Sequence, residues 1–472
     1  MGLMSYARLE RSLNNVGRRA LAAGLERGDI VALFITDPIV HAVTMLALTS
    51  MGIITLSGRN PRLPPELDIE AVITDNPFPY QANRVLHADA SWLAGSDDPL
   101  DEKHVPRVDP DEICRIVLTS GTTGDAKAVA LSHRMVAARI ARHQYCFGSR
   151  VPYCSRTYCD LGYATSLGFQ VVLAMLWRGG MAMLPGGDEP ATLRAFGSYN
   201  IENIVTSPGG LSQLLRLIEA NPDFEPRLET VFSGGSVMPP VLSERVRSRL
   251  CSNVITAYGS TEASMVATVP AHAVANVPGA AGYVLPGITV EIVNANGQVQ
   301  LPGKEGVVRI RSDFGVNGYL GDAAETARTF HDGWFYPGDT GYFTPGDLLV
   351  ISGRSTTVLN VGGDKLRPEL VEEVLATHPS VEQSAVLSLP SRLGVEELWA
   401  VVVSRGSFDE SALRAYCLSR LPSSFVPVRF LTVGALPLSP MGKVERRKLP
   451  DLVRITLSQL AGGQARPPAG AV

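Results

Sequence analysis

Leu118 to Leu131 reads LTSGTTGDAKAVAL, an apolar run that passes into Thr119, Ser120, Gly121, Thr122, Thr123 and Gly124 and then reaches Lys127. Small residues let a backbone approach a polyphosphate, hydroxyls and amides donate to its oxygens, and a lysine adds positive charge. The Walker spacing is absent, because that loop sets Lys directly after its second glycine, whereas Asp125 and Ala126 separate Gly124 from Lys127 here. A Ser/Thr/Gly cluster alone is more often a plain surface turn; the apolar strand before it and the lysine after it favour a phosphate loop of another kind.

Such a loop has to hang from a strand end. From Gly28 onward short β-rich runs alternate with helical stretches: Ile30 to Ile35, Ala71 to Ile73, Ile113 to Thr119, Ile204 to Ser207, Val231 to Ser233 and Val254 to Tyr258. That alternation predicts largely parallel sheets covered by helices. Several of these runs end in turn formers, at Ser120-Gly121, Pro208-Gly209-Gly210, Gly234-Gly235 and Gly259-Ser260, and ligands of such sheets bind at the carboxyl ends of the strands. After about Gly279 the texture changes. Thr289 to Val293 and Val307 to Ile310 read as an antiparallel hairpin joined through Asn296-Gly297, a pair suited to a tight primed turn. A second hairpin is expected over Tyr342 to Ile351 around Pro345-Gly346-Asp347. Strands at Val386 and Leu398 to Val403 follow, then a helix from about Phe408 with Ser407 and Glu410 spaced as a capping box. The fold class is therefore α/β: a large N-terminal domain of mostly parallel sheets flanked by helices plus a β-rich subdomain, then a small α+β C-terminal domain.

Composition narrows the function. The chain has 472 residues, 45% hydrophobic and 19% charged, with a formal net charge of -4. Acidic and basic residues are spread along the chain, so nothing points to nucleic acid or to an anionic membrane, and a small-molecule substrate fits better. The longest apolar runs, Val40 to Leu48 and Val171 to Trp177, are too short to span a bilayer, and the N-terminus has no signal pattern; a cytoplasmic protein is expected. The six cysteines form no CxxC pair, which favours buried or neutral thiols over metal ligands or disulfides.

Taken with five further stretches, the loop resembles that of the adenylate-forming superfamily of acyl-CoA synthetases, peptide-synthetase adenylation domains and luciferases. Ser233-Gly234-Gly235-Ser236 resembles the family loop beside the adenine and acyl pocket, and Ala257-Tyr258-Gly259-Ser260-Thr261-Glu262 its YGxTE element. Tyr336-Pro337-Gly338-Asp339 resembles its GD turn, Gly353-Arg354 its hinge entry and Pro440-Met441-Gly442-Lys443 its PxGK terminus. The six stand in the family's order over Tyr6 to Leu449.

The resemblance implies ATP-dependent, AMP-forming activation of a carboxylic acid, then acyl transfer to the thiol of CoA or to the phosphopantetheine of a separate carrier protein. It implies a domain over 1–354, a small mobile lid over 355–460 and a disordered tail over 461–472. Catalytic roles fall on Lys443, Thr261 and Glu262, with Glu262 holding Mg²⁺. ATP would be held by Thr119 to Gly124, Lys127, Gly235, Tyr258 (stacked on adenine), Gly259, Asp339 (on both ribose hydroxyls) and Arg354. Two anions must meet in this reaction, and their repulsion at a few Å is roughly 1 kcal/mol in water and several times that at a partly buried site; Lys443 would offset it. Thr356 is the implied hinge pivot, although the family usually has Asp or Lys there, and Gly362, Gly363 and Lys365 would face the thiol. Ala126 and Ala128 depart from the Pro and Gly common in the family loop, without loss of a charged group.

The acyl pocket is implied to include Thr165, Ser166, Ser207 and Gly234. Amino-acid activators carry an aspartate at the position of Ser166, acyl-CoA synthetases often a histidine near Thr165, and dicarboxylate activators an arginine near Ala257. None of these is present, and Asp160 is the nearest carboxylate. An uncharged aliphatic or aromatic monocarboxylic acid is expected. No carrier attachment site follows Lys443, and Ala164 rather than glycine precedes Ser166, so there is no hydrolase elbow. A carrier-loading ligase and a non-catalytic binder of nucleotide or acyl-adenylate are the alternatives; retention of Lys443, Glu262 and Lys127 argues against the binder. A monomer or a homodimer is equally compatible.

Overall fold

The computed structural model describes residues 3–58, 63–79, 82–105, 107–120, 126–146, 155–186, 189–277, 279–354, 359–361, 363–366, 368–437 and 444–462. The chain divides into two compact units, 1–356 and 357–472.

In the first unit a six-stranded sheet runs in the order Val85–His87, Ile69–Thr74, Ile30–Phe34, Ile54–Ser57, Ile113–Ser120, Ala126–Ser132. Five strands are parallel and the sixth returns antiparallel as the second arm of the phosphate-loop hairpin. A 13-stranded sheet holds the rest. Its parallel half comprises Met181–Met183, Arg156–Cys159, Asn203–Thr206, Thr230–Gly234 and Val254–Ser260. Every residue of Asn203–Thr206 and Thr230–Gly234 is buried, as strands covered on both faces require. The helices His133–Cys146 and Ser166–Trp177 pack on one another, and side chains of both join the core of the first sheet, while the second also packs on Arg156–Cys159 of the second sheet.

The β-rich region after Gly279 is continuous with this sheet rather than separate from it. Ser264–Pro270 reverses against Val254–Ser260, and pairing then passes through Ala280–Val284 to Leu349–Arg354, Asp339–Phe343 and Gly306–Ser312. Both expected hairpins form, Ile288–Val293 against Gly306–Ser312 and Asp339–Phe343 against Leu349–Arg354. The Asn296-Gly297 turn is not of the primed kind, however. Gly297 has φ of 75° while Asn296 is not left-handed, and Asn294 Oδ1 accepts from the amides of Asn296 and Gln298 at 2.9 and 3.1 Å. An asparagine side chain thus shapes a longer turn in which only the glycine needs positive φ.

The second unit is α+β. Val381–Pro390 and Glu396–Ser404 pair antiparallel, Arg429–Thr432 adds a parallel strand, and the helices Pro368–Ala376 and Glu410–Leu418 cover one face around Leu366, Val371, Leu398 and Leu413. The predicted capping box fails. The helix starts at Glu410 with Asp409 as its cap, accepting from Ser411 and Ala412, because a carboxylate one residue from the helix start outcompetes the more distant Ser407. The last helix, Leu449–Gly462, includes Ala461 and Gly462, which were expected to open the tail; the remainder of that tail lies outside the described residues. Among the described residues no helix is long and apolar enough to cross a membrane.

Candidate active site

The hairpin fixes both ends of the phosphate loop. Thr119 stands opposite Lys127 and Ser120 opposite Ala126, while Gly121, Thr122, Thr123 and Gly124 lie outside the described residues, as does the Ser120 side chain. Ala128 tolerates its departure from the family glycine because it is an ordinary strand residue, 3% exposed. Its carbonyl accepts from the amide of Leu320 at 2.8 Å. That bond lays Tyr319 beside Lys127. Lys127 Nζ lies 4.8 Å from the centre of the Tyr319 ring and forms an ion pair with Glu325. Glu325 sits in the short helix Ala323–Thr329, capped by Asp322, which accepts the Glu325 amide at 2.9 Å. Arg328 Nε reaches the same carboxylate at 2.7 Å. Burial pushes Glu325 up, yet Arg328 and Lys127 together hold it below the ordinary carboxylate value.

Thr261 and Glu262 occupy the turn between Val254–Ser260 and Ser264–Pro270. Tyr319 Oη donates to Glu262 Oε1 at 2.9 Å, and burial and then the Glu262 charge push the phenol up. The backbone of the turn is gripped from behind by Arg139, 1% exposed, whose guanidinium donates to the carbonyls of Phe314, Thr261 and Glu262 at 2.9, 3.1 and 3.5 Å. Asp339, 4% exposed, accepts from Tyr258 Oη at 2.7 Å and stands in register opposite Arg354, whose backbone alone is described. Gly234 is in register with Ala257, and Gly235 follows with φ of 93°. Among the described residues two buried hydroxyl oxygens at these strand ends, Thr119 Oγ1 and Ser233 Oγ, have no hydrogen-bond partner. Buried hydroxyls normally find one, so both keep hydrogen-bonding capacity that the protein itself leaves unused.

The acyl side differs. The helix expected from Tyr163 begins at Ser166, because Thr165 caps it by accepting from Gly168 N at 3.0 Å. Ser166 Oγ accepts from Gln170 at 2.7 Å, and Ser207 caps the helix Pro208–Glu219. Asp160 accepts the Thr206 hydroxyl at 2.8 Å, so the nearest carboxylate is already engaged in the protein. Leu161, Leu167, Ile255, Ala257, Met265 and Leu285 pack around buried Cys159, Val171, Val205 and Phe232.

Comparison with known proteins decides the family. Residues 2–320 match the AMP-binding enzyme model and residues 370–443 the model of the AMP-binding enzyme C-terminal domain. The chain belongs to the AMP-binding enzyme family. It is 26% identical to a 4-chlorobenzoate–CoA ligase of an Arthrobacter species, over 99% of this chain and 92% of that one. It is 25% identical to the fatty acid–[acyl-carrier-protein] ligase ScoC of Streptomyces coeruleorubidus, over 95% and 91%. The amide bond synthetase McbA from Marinactinospora thermotolerans superposes with a TM-score of 0.81 at 26% identity, covering 96% of this chain and 95% of that one. This AMP-binding enzyme is thus an AMP-forming acid–thiol ligase by kinship, of a family that uses ATP and CoA.

Within the AMP-binding enzyme the first unit brings together Thr119, Lys127, Tyr258, Thr261, Glu262, Asp339 and Arg354 at neighbouring strand ends. Thr356 and Gly362 lie outside the described residues, as does Lys443, although Pro437 and Glu445 on either side of that last stretch are joined by a 2.8 Å backbone hydrogen bond. Gly363 belongs to the turn of a small hairpin, Leu359–Val361 against Asp364–Leu366, which also carries the backbone of Lys365. Burial pushes the thiols of Cys114 and Cys159 up to about 12, so neither is a nucleophile at neutral pH. Sequence reasoning missed Tyr319, Glu325, Arg328 and Arg139, because none stands in a motif: Tyr319, Glu325 and Arg139 act through partners far along the chain, and Arg328 acts through Glu325.

Proposed function

We propose that the enzyme joins an uncharged aliphatic or aromatic carboxylic acid to the α-phosphorus of ATP, releasing pyrophosphate, and passes the acyl group to the thiol of CoA with release of AMP. The observation that carries this reading is the convergence of the Thr119/Lys127 hairpin, Glu262 and Asp339 at adjacent strand ends, with two unpartnered buried hydroxyls among them. In this reading Thr119 to Gly124 and Lys127 hold the polyphosphate and Thr261 donates to the α-phosphate. Asp339 accepts the ribose hydroxyls, Arg354 donates beside it, and the Tyr258 ring, its hydroxyl anchored on Asp339, stacks on adenine between Gly235 and Gly259.

Glu262 supplies one hard oxygen ligand, which suits Mg²⁺, an ion bound through one or two carboxylates with the remaining positions left to phosphate and water. When bound, the ion would neutralise polyphosphate charge. Arg139 fixes the backbone under Glu262, and Tyr319 orients its carboxylate. Lys443, from the second unit, places its ammonium between the substrate carboxylate and the α-phosphate as the bond to oxygen forms and the bond to pyrophosphate breaks. Rotation at Thr356 then exchanges that loop for Gly362, Gly363 and Lys365, which meet the thiol. Thr165, Ser166, Ser207 and Gly234 line the acyl pocket, whose apolar surroundings support an uncharged acyl group, since an unpaired ammonium or second carboxylate buried there would cost several kcal/mol, about 2–7 even for a neutral polar group.

Pyrophosphate exchange over a panel of fatty, aryl and amino acids tests the first step. Exchange with one class of uncharged acid is the expected result; no exchange with any acid would leave a non-catalytic binder. Supplying CoA, a phosphopantetheinylated carrier or an amine to the preformed adenylate then identifies the acceptor, the last two being the acceptors that the similarity to ScoC and McbA brings into question.

A further inference from the structure

The lysine of the phosphate loop does not stand free for a ligand. Its side chain is 10% exposed and that of Glu325 6%, so the two charges face each other with little water between or around them. A polyphosphate oxygen that recruits Lys127 has to win it from this carboxylate, because opposite charges at low exposure attract more strongly than at the surface. The carboxylate is over-supplied with partners. Arg328 grips both of its oxygens, Nε on Oε2 at 2.7 Å and Nη2 on Oε1 at 2.5 Å, and the Thr329 hydroxyl adds a third contact at 3.2 Å. Arg328 is three residues along the same helix and its side chain is 54% exposed. Its grip therefore does not depend on where Lys127 points. On its other side the lysine meets the Tyr319 ring at 4.8 Å, a surface that attracts a cation without neutralising it, and whose hydroxyl is tied to Glu262.

We propose that Glu325 competes with the nucleotide's polyphosphate for Lys127, and that Arg328 is the replacement partner that keeps the carboxylate balanced once the lysine turns away. The inference rests on the reading that Lys127 meets the polyphosphate. Leaving a buried carboxylate alone would be costly; leaving it with a two-pronged arginine and a hydroxyl is not. The Tyr319 ring lets the ammonium swing between the two anions while one side stays covered, so Glu325 lowers the affinity for phosphate and so eases release of pyrophosphate after the chemical step.

The test is equilibrium binding of inorganic pyrophosphate and of a non-hydrolysable ATP analogue to the full chain, by titration calorimetry. Glu325→Gln should tighten pyrophosphate binding by at least about threefold, the reverse of what loss of a mere support for Lys127 would do. Arg328→Ala, at an exposed position where folding is safe, should weaken it by a similar factor, because Glu325 then holds the lysine harder. Both effects should vanish in a Lys127→Ala background. Unchanged or weaker binding in Glu325→Gln overturns the proposal; if that variant does not fold, unchanged or tighter binding in Arg328→Ala overturns it. Lys127→Ala alone separates the two levels, since an unchanged pyrophosphate affinity there removes the reading of Lys127 itself.

Discussion

The nucleotide side and the acyl side of the first unit are built from opposite materials, though both draw on the strand Val254–Ser260. On one side Lys127, Glu325, Arg328, Tyr319 and Glu262 form a continuous charged and hydrogen-bonded chain, with Tyr258 and Asp339 as a second pair. On the other, Leu161, Leu167, Ala257 and Leu285 pack on Val205 and Phe232. Charge chemistry demands particular residue types at particular offsets, whereas an apolar pocket demands only volume. Substitutions on the first side should therefore change the handling of ATP, and substitutions on the second the choice of acid.

The largest expected effect tests whether the charged side governs the first step. Lys443→Ala should lower the rate of pyrophosphate exchange by tenfold to about a hundredfold, with transfer from preformed adenylate to CoA much less affected. Equal loss in both steps would remove the assigned role.

The second prediction concerns the buried histidines beside the acyl side. His143, 3% exposed, is held down to about 4 by burial, against which a hydrogen bond to Gln170 works. Buried His41 is likewise pushed down to about 4. Folded molecules thus bind fewer protons than unfolded ones between about 4 and the ordinary 6.5. Their contribution is fully present above pH 6.5 and is lost as the pH falls toward 4, on the order of 2–3 kcal/mol for each histidine. Thermal unfolding scanned from pH 7 to pH 4.5 should show that fall, and His143→Gln should flatten part of it; a melting temperature that does not move over this range would mean a charged histidine is tolerated there.

A third prediction moves a single methyl group. A β-carbon on Gly234 would lie 3.5 Å from Leu167 Cδ2 and 3.8 Å from Ala257 Cβ, ordinary contact distances, whereas one on Gly168 would lie 2.1 Å from the Gly162 carbonyl oxygen. Gly234→Ala should fold with an unchanged melting temperature and shift the preference between acids differing by one methylene by about tenfold, leaving the KM for ATP alone. Gly168→Ala should instead destabilise the protein by about 1–3 kcal/mol.

The same contrast explains what the sequence disclosed. The parallel strands and both hairpins were legible, because each rests on local periodicity and on turn-forming residues. Glu325 and Tyr319 were not, since their partners Lys127 and Glu262 are brought to them only by the 2.8 Å bond from Leu320 to Ala128 and by the packing of the second sheet. Asp409 displaced Ser407 as a helix cap because two acceptable caps stood two residues apart, a competition that spacing alone does not resolve. The single primed turn expected at Asn296-Gly297 gave way to one organised by the Asn294 side chain, an interaction that dipeptide preference ignores.

The boundary between the two sides is one peptide wide. Ala257 and Tyr258 are successive residues of a strand, so their side chains leave on opposite faces; Ala257 joins the apolar cluster with Leu167, while Tyr258 packs with Val290 and Ile292 and gives its hydroxyl to Asp339. Tyr258→Phe keeps the ring and removes only the 2.7 Å bond, worth about 1 kcal/mol or somewhat more because the acceptor is charged. The KM for ATP should rise about fivefold in steady-state kinetics while the KM for the acid stays where it was. If both constants rise together, the strand does not separate the two regions, and the division between a charged half and an apolar half of this site has to be abandoned in favour of a single shared pocket.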